Sequence, residues 1–302
     1  MTTRRRFLMI AAAAMATGAT TRATPYVWHG SALGARATIR LTHPDAAEIT
    51  ARMAAEIDRL EDVFSLYRAG SSLGLLNAEG RLDAPPFELL ECLSLSGSVH
   101  GATGGLFDPT VQRLWQAHAT AAVAGRGLTG AERQAALALT GWDGVTLDET
   151  AITLRPGMAL TLNGIAQGYI ADRVAALLTA EGLTDILIDT GELRALGGRP
   201  QGGDWPVTLV PEGRKLGLAN RALATSAPLG TVFDAAGKVG HILNPATGEP
   251  APAVWQAISV SAPSAGLADA LSTAACLMPA RAAIEAALTR FPQTRLEAAL
   301  PV

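Results

Sequence analysis

The chain has 302 residues, of which 49% are hydrophobic and 17% are charged. This composition supplies a sizeable apolar core and excludes an intrinsically disordered protein. The formal net charge is −3, and no Lys/Arg-rich run follows residue 23. The chain therefore lacks the basic surface that attracts nucleic acid, and we expect no nucleic-acid partner.

The N-terminal segment, residues 1–23, is predicted to be a twin-arginine-type signal peptide. Three consecutive arginines at 4–6 precede a short, alanine-rich apolar run at 9–16, and small residues follow. The run is too short to span a bilayer, which needs about 20 apolar residues. We therefore expect a soluble periplasmic protein formed by residues 24–302. The alternative is a basic, disordered N-terminus of a cytosolic protein.

Hydrophobic periodicity predicts strands and helices in an irregular order along residues 24–302. In chain order the predictions are a strand at 35–41, helices at 45–63, 87–103 and 119–140, strands at 144–147, 151–154 and 158–161, a helix at 166–181, strands at 186–188, 206–210, 222–225, 240–243 and 257–262, and helices at 266–277 and 280–291. Because strands and helices do not alternate regularly, and no linker or repeat divides the chain, the sequence favours a single α+β domain.

The two cysteines, Cys92 and Cys276, both lie in apolar segments. In an oxidising compartment they could form a disulfide, and two buried free thiols fit the same pattern equally well. Motifs of several common enzyme classes are missing. The chain has no GxGxxG between a strand and a helix, no GxxxxGK[ST], no GxSxG and no HExxH, which excludes the usual dinucleotide, phosphate-loop, hydrolase and zinc-protease templates.

The strongest polar constellation lies in the predicted helix at 266–277. Asp269 and Thr273 are four residues apart in a segment that is otherwise almost wholly apolar, so both side chains project from one helix face. A carboxylate and a hydroxyl are hard oxygen ligands of the kind that Mg²⁺ takes. The alternative is a structural role, in which Asp269 offsets the helix dipole and Thr273 bonds back to a carbonyl.

A second constellation lies where a predicted strand leads through Asn163 and Gly164 into the helix at 166–181. The free N–H groups of such a helix N-terminus, beside small residues, form a place where a phosphate group can approach. The alternative is an ordinary strand–turn–helix junction that is capped by Asn163.

Two further segments carry candidate polar groups. His241 ends a predicted strand beside a tight turn at 245–248, although a lone histidine there is usually structural. Asp108 and Thr110 are placed to cap a helix that begins at Pro109, and this explanation is sufficient by itself.

Taken together and in this order, these segments resemble the ApbE family, the FAD:protein FMN transferases. The matching segments are 61–67, 71–77, 105–110, 163–169, 189–192, 225–226, 241–248 and 268–274. They extend over nearly all of residues 24–302. Any one segment is weak evidence, whereas eight of them in sequence make a specific signal.

The resemblance implies an α+β domain that binds FAD, as substrate, in a cleft. Asp269 and Thr273 would hold Mg²⁺ with the help of a backbone carbonyl near Gly164. Tyr67 and Asn77 match positions on the flavin side of the cleft.

The resemblance also implies a catalytic histidine, which His241 matches, as a general base or as the group that orients the acceptor hydroxyl. Asp269 belongs to the same catalytic centre. Asp108, Ser226 and Thr247 would line the cleft as further FAD-binding residues.

The activity implied by the resemblance is transfer of the FMN half of FAD to a threonine or serine hydroxyl of an acceptor protein, with release of AMP. The segment 163–168 resembles the corresponding segment in a periplasmic branch of the family that is associated with nitrous-oxide respiration. The acceptor would then be a membrane-bound electron-transfer flavoprotein. Two alternatives stay open: a Mg²⁺-dependent FAD pyrophosphatase that yields FMN and AMP, and a non-catalytic FAD-binding protein.

Three positions depart from the commonest pattern of the family. Gln167 occupies a position where many members have lysine, so a positive charge near the phosphates is missing. Thr190 and Ala227 occupy positions where glycine is frequent. None of the three replaces a predicted metal ligand.

Overall fold

The computed structural model describes residues 26–302, so the predicted signal peptide at 1–23 lies outside the described residues. The strands are β1 (Tyr26–Ala32), β2 (Ala35–Leu41), β3 (Arg81–Asp83), β4 (Val145–Leu147), β5 (Ala151–Leu154), β6 (Ile186–Asp189), β7 (Leu193–Leu196), β8 (Trp205–Thr208), β9 (Lys215–Leu218), β10 (Ala222–Ser226), β11 (Trp255–Ala262) and β12 (Arg295–Pro301). The helices are α1 (Ala46–Phe64), α2 (Ser72–Glu79), α3 (Phe87–Ala102), α4 (Gln112–Val123), α5 (Gly130–Leu137), α6 (Ala166–Ala180), α7 (Ala265–Ala275) and α8 (Arg281–Leu288). The α+β class predicted from the sequence is confirmed.

A seven-stranded antiparallel sheet forms the centre of the fold, in the strand order β1-β2-β6-β7-β10-β11-β12. Successive side chains of its strands point to opposite faces, as the pleat requires. On β6, Ile188 packs into the main core, whereas its neighbour Leu187 packs into a smaller core on the other face. On β10, Ala224 and Leu223 divide in the same way. Both faces of the sheet are therefore apolar, and each packs against a different set of residues.

Helices cover the main-core face of the sheet. Helix α1 buries the predicted apolar stripe, which includes Met53, Ile57 and Leu60, and α6 packs against α7 and β7. Helix α7 is buried at every position except Thr273. A helix that is buried all round is an interior element, so its one carboxylate, Asp269, is held inside the protein.

Two small sheets complete the fold. The hairpin of β8 and β9 covers the second face of the large sheet, where Val207 and Leu218 pack against Leu223. The three-stranded sheet β3-β5-β4 stands apart from the large one. Of the chain from residue 26 onward, no helix is long and apolar enough to cross a membrane.

The predicted long helix at 119–140 is wrong, because the structure has two shorter helices there. Helix α4 stops before Gly125, which adopts a left-handed φ of 71° and is suited to end a helix. Helix α5 starts again at a capping box formed by Thr129 and Glu132. The glycines and caps between residues 124 and 130 outweigh the helical preference of the alanines around them.

Two predicted strands, at 158–161 and 240–243, are also absent. The backbone of Leu160 bonds to the side chain of Asn77 instead of to a neighbouring strand, and Thr161 N–H donates to the carbonyl of Pro109. In the second segment only isolated bridges form, at Gly240 and Leu243. Strand-like patterns fail here because no partner strand lies beside them.

The two cysteines are both fully buried and free. Burial raises the pKa of both thiols far above the usual value. Of the two alternatives left open by the sequence, the structure has the buried free thiols.

Candidate functional site

A cavity of about 270 Å³ opens where the start of α6, helix α7 and the end of β10 meet the segments 106–111 and 227–243. Its polar lining residues are Asp108, Thr161, Asn163, Gln167, Glu192, Thr225, Ser226, Thr231, His241, Asp269 and Thr273. Gly164 lines it as well. The tertiary structure thus brings together six of the residues that the sequence predicts for the site, from five separate parts of the chain.

Two glycines let α6 approach α7 closely enough to form one wall of the cavity. A Cβ atom added to Gly164 would lie 3.0 Å from Oγ1 of Thr273. One added to Gly168 would lie 2.3 Å from the carbonyl oxygen of Ala265, a distance that atoms do not adopt. Only glycine fits at Gly168, and Gly164 brings its backbone against the predicted metal ligand Thr273.

Asp269 is the most unusual group in the cavity. Its side chain is buried, with a relative exposure of 4%, and its Oδ2 atom has no hydrogen-bond partner in the protein. Burial raises the pKa of the carboxyl group above its ordinary value, while the N–H of Gly168 is directed at the same group and lowers it again in part. An unpartnered buried carboxylate oxygen is costly to maintain, and a bound cation would remove that cost.

Three hydroxyl groups, those of Ser226, Ser272 and Thr273, lie near Asp269 of α7. Oγ of Ser226, at the end of β10, is 2.7 Å from Oγ of Ser272 and 3.3 Å from Oγ1 of Thr273. Ser272 donates to the carbonyl of Asp269. Thr273 is the one residue of α7 that is not buried, so its hydroxyl faces the cavity.

A metal ion at this place would bind mainly through oxygen atoms. In residues 26–302 no group of three or more His, Cys, Asp or Glu side chains is arranged around a common point. This excludes a dense zinc-type or iron-type ligand set from the part of the chain described here. One carboxylate, one hydroxyl and backbone carbonyls suit Mg²⁺, which keeps waters and substrate phosphates as its other ligands.

Glu192 is a second buried carboxylate, for which the sequence motifs predict no role. It follows the turn between β6 and β7 and accepts a hydrogen bond from Thr225 N–H, at 3.3 Å. Burial raises the pKa of Glu192 well above its usual value, and the nearby charge of Asp269 adds to the rise. The signal in the sequence was an acidic residue between two apolar strands, which is uncommon unless the group has a partner.

His241 is held in one orientation by its own backbone neighbourhood. Its Nδ1 atom is 2.9 Å from the carbonyl oxygen of Thr231. Because a carbonyl only accepts, Nδ1 must carry the proton, and in the neutral ring Nε2 keeps its free electron pair. Burial lowers the pKa of His241 below the ordinary value for histidine. The ring is therefore a neutral base at pH 7.

The loop that carries His241 is fastened to helix α4 by an aromatic contact. Phe233 stands 5.3 Å from Trp115 in an edge-on arrangement and 5.4 Å from His118 in a stacked one. His118 is itself fixed, since its Nε2 lies 2.9 Å from the carbonyl of Gly248. The two ends of the loop are joined by the hydrogen bond from His241 N–H to the Thr231 carbonyl. The histidine thus sits at the base of an anchored loop.

Asp108 has the capping role that the sequence predicts. Its Oδ1 accepts from the N–H and the hydroxyl of Thr110, at 2.8 and 2.6 Å, at the start of a short 3₁₀ turn that begins at Pro109. Burial raises the pKa of Asp108, and the bonds from Thr110 oppose this rise. Asp108 also lines the cavity. The cap at Asn163, which the sequence left open as an alternative, is not formed, because Ile165 is the cap residue of α6.

Three of the predicted FAD-binding residues stand outside the cavity lining. Tyr67 is 83% exposed, on a loop where Ser65 accepts from its N–H. Asn77 makes two hydrogen bonds to the backbone of Leu160. Thr247 is exposed, and its hydroxyl accepts from the N–H of Glu249. Their contact with FAD stays a prediction.

Comparison with known proteins gives consistent results. A model of the ApbE family matches residues 33–298. A Klebsiella pneumoniae (strain 342) protein named FAD:protein FMN transferase is 29% identical over 247 residues, which cover 74% of this chain and 73% of that protein. A Haemophilus influenzae protein of the same name is 31% identical over 172 residues, which cover 52% of this chain and 49% of that one.

Solved structures show the same fold. The flavin transferase ApbE from Vibrio cholerae superposes with a TM-score of 0.76 at 23% identity and covers 90% of this chain and 92% of its own. The Pseudomonas stutzeri flavinyl transferase ApbE, in its apo form, superposes with a TM-score of 0.77 at 25% identity, with the same coverage. The match to the Vibrio structure, at this low identity, is evidence of fold alone.

Proposed function

Because this chain belongs to the ApbE family, we propose that it transfers the FMN half of FAD to a threonine or serine hydroxyl of an acceptor protein and releases AMP. The observation that carries the proposal is the buried, unpartnered Oδ2 of Asp269, one helical turn from Thr273 in a cavity that also holds His241. A candidate cation ligand and a candidate base thus line the same cavity.

The residues that would hold Mg²⁺ are Asp269 and Thr273, together with a backbone carbonyl near Gly164. Bound there, the ion would offset the charge that develops on the phosphate oxygens during transfer. Asp269 contributes the negative charge that retains the cation, and Ser226 keeps the hydroxyl of Thr273 in place through the 3.3 Å contact between their oxygens.

His241 would prepare the acceptor hydroxyl for attack. Nδ1 is occupied by the Thr231 carbonyl, so Nε2 is the atom that can take a proton. In the transfer step the hydroxyl oxygen bonds to the phosphorus of the FMN half and its proton passes to Nε2. The bond from that phosphorus to the bridging oxygen breaks, and AMP leaves with that oxygen and the electron pair. A base placed in this way typically accelerates proton transfer about 10²- to 10⁴-fold.

Residues outside the cavity would serve the flavin end of FAD. The exposed ring of Tyr67 offers an aromatic face on a rigid loop, because Arg68 beside it pairs with Asp58, Glu61 and Asp62 of α1. Asn77 holds the segment at Leu160, which leads to Gly164. Asp108, which lines the cavity, and Thr247, which stands outside its lining, are proposed as further contacts with FAD.

The location and the acceptor are also proposed. The arginines at 4–6 and the apolar run after them support export to the periplasm, with residues 24–302 as the mature transferase. A membrane electron-transfer flavoprotein is proposed as the acceptor on the similarity of residues 163–168 to one branch of the family.

The test is to incubate the purified protein with FAD, Mg²⁺ and a candidate acceptor flavoprotein. The denatured acceptor is then examined by in-gel flavin fluorescence and by mass spectrometry for added FMN, while AMP is quantified in solution. We expect covalent FMN that is lost with EDTA and with Asp269→Ala. The matched control is Asp148→Ala, which removes an exposed carboxylate in the turn between β4 and β5.

Two other results of this experiment would contradict transfer. Free FMN and AMP with an unmodified acceptor would establish an FAD pyrophosphatase and contradict transfer. Bound, intact FAD without any AMP would show a flavin-binding protein that has no transfer chemistry.

A further inference from the structure

The charges that line the cavity are negative or neutral. Three of the lining residues, Asp108, Glu192 and Asp269, carry carboxyl groups. None of the lining residues within 26–302 is a lysine or an arginine. Whatever the protonation states of the three carboxyl groups, the side chains provide no positive charge to a bound anion, except through a protonated histidine.

The histidine does not supply that charge at neutral pH. Nδ1 of His241 donates to the carbonyl of Thr231, and burial of the ring lowers its pKa. Before an anion binds, the ring is therefore neutral at pH 7 and above, and its Nε2 atom carries no proton to donate.

Helix termini supply only a fraction of a charge. Helix α6 begins at the cavity, and a helix N-terminus is equivalent to about half an elementary charge. The N-terminus of α7 is already used, because the carboxylate of Asp172 accepts from the N–H groups of Ala265 and Gly266. The diphosphate of FAD carries two negative charges, which exceed what α6 can offset.

We propose that a divalent cation is the main counter-charge for the FAD diphosphate in this protein, so that FAD and Mg²⁺ bind in a strongly coupled way. Gln167 strengthens this coupling, because it lines the cavity with a neutral amide and provides no side-chain cation there. The inference rests on the proposed function and adds to it a dependence of FAD binding on the metal, before any chemistry takes place.

The position of Gln167 makes it the suitable residue to change. It lies in the first turn of α6 and lines the cavity. Its Oε1 would be 3.1 Å from a Cβ atom added to Gly191, so the amide group lies against the residue that precedes Glu192. The backbone carbonyl of Gln167 accepts a hydrogen bond from the hydroxyl of Thr190, at 3.0 Å. A lysine at this position would put a positive charge inside the cavity and beside a carboxylate.

The experiment measures the affinity of the purified full-length chain for FAD by quenching of flavin fluorescence, without an acceptor. Titrations are made with Mg²⁺ and with EDTA at equal ionic strength. We expect FAD to bind about 10- to 100-fold more tightly with Mg²⁺, and FAD to tighten Mg²⁺ binding by the same factor, since coupling is reciprocal. Riboflavin has no phosphate, so its affinity should not respond to Mg²⁺.

Gln167→Lys should bind FAD more tightly in EDTA and reduce the effect of Mg²⁺ to less than about one third of that in the wild type. The matched control is Gln201→Lys, which adds the same charge in an exposed loop and should leave the coupling unchanged. In the wild type, equal FAD affinity with and without Mg²⁺ would overturn the inference. So would an equal Mg²⁺ effect on riboflavin, or coupling in Gln167→Lys that equals the wild-type value.

These results are separable from a failure of the proposed function. If FAD binds independently of Mg²⁺ while FMN still reaches the acceptor, only the coupling is wrong. If FAD binds under neither condition and no FMN is transferred, the proposed function is wrong, and the coupling is refuted with it.

Discussion

Asp172 of helix α6 caps the helix that carries Asp269. Its two carboxylate oxygens accept hydrogen bonds from the N–H groups of Ala265 and Gly266, at 2.8 and 2.9 Å. Ser264 occupies the N-cap position of α7, but its side chain makes no capping hydrogen bond. The orphan N–H groups that a helix usually satisfies locally are thus satisfied from another helix. Asp269, a predicted metal ligand, lies one helical turn after Ala265 and Gly266.

Asp172→Ala is expected to weaken both stability and metal binding. The change leaves the N–H groups of Ala265 and Gly266 without their partner, and the loss of a helix cap costs about 0.5–2 kcal/mol. Urea unfolding should show this loss. Because α7 would be less firmly placed, the Mg²⁺ concentration for half-maximal transfer should rise while the maximal rate changes little. Asp148→Ala is the control, and an unchanged Mg²⁺ requirement in Asp172→Ala would limit Asp172 to a purely structural role.

His241→Ala is expected to lower kcat about 10²- to 10⁴-fold, because it removes the proposed base. The pH profile of the wild type provides a further check. Burial lowers the pKa of His241, so the neutral, active form persists below the ordinary histidine pKa of about 6.5. Activity should be level at neutral pH and fall only when the pH drops below about 6.5. Because burial raises the pKa of Asp269 to about 7, the profile is measured at saturating Mg²⁺, which keeps that carboxyl group ionised. An identical acid limb in His241→Ala would then contradict the assignment.

Gly164→Ala tests the close contact between α7 and the turn that precedes α6. The added Cβ would lie 3.0 Å from Oγ1 and 3.1 Å from Cγ2 of Thr273, so the threonine side chain must move. We expect a higher Mg²⁺ requirement and a lower transfer rate, with little change in circular dichroism. Gly101→Ala is a matched control, since nothing lies within 4 Å of the added atom there. Equal Mg²⁺ dependence of the two variants would show that Thr273 is not a ligand.

Phe233→Leu tests whether the aromatic contact positions His241. The change removes the ring that packs on Trp115 and His118, contacts that contribute about 0.5–1.5 kcal/mol each beyond their buried area. The loop should then hold His241 less firmly, so kcat should fall while the affinity for FAD stays within about twofold. Phe233→Tyr keeps the ring and should restore the rate. A loss of FAD affinity instead of kcat would place Phe233 in substrate binding.

Much of the site was accessible from the sequence because its geometry is local. Asp269 and Thr273 share a helix face through the helical period alone, and Asp108 caps the turn at Pro109 through a bond to Thr110, two residues away. The apolar stripe of α1 was predicted for the same reason. Such spacings depend on a few dihedral angles within one segment, so neighbouring residues determine them.

Only the tertiary structure decided which distant groups meet. It placed Glu192 near Asp269, Asp172 on the N-terminus of α7, and Asn77 on the backbone of Leu160. It also left Tyr67 outside the cavity. Sequence patterns cannot supply these contacts, because they depend on how the antiparallel sheet and its covering helices pack. Packing here joins residues that are 83 and 93 positions apart. The sequence determined the chemical groups, and the fold determined which of them share one cavity.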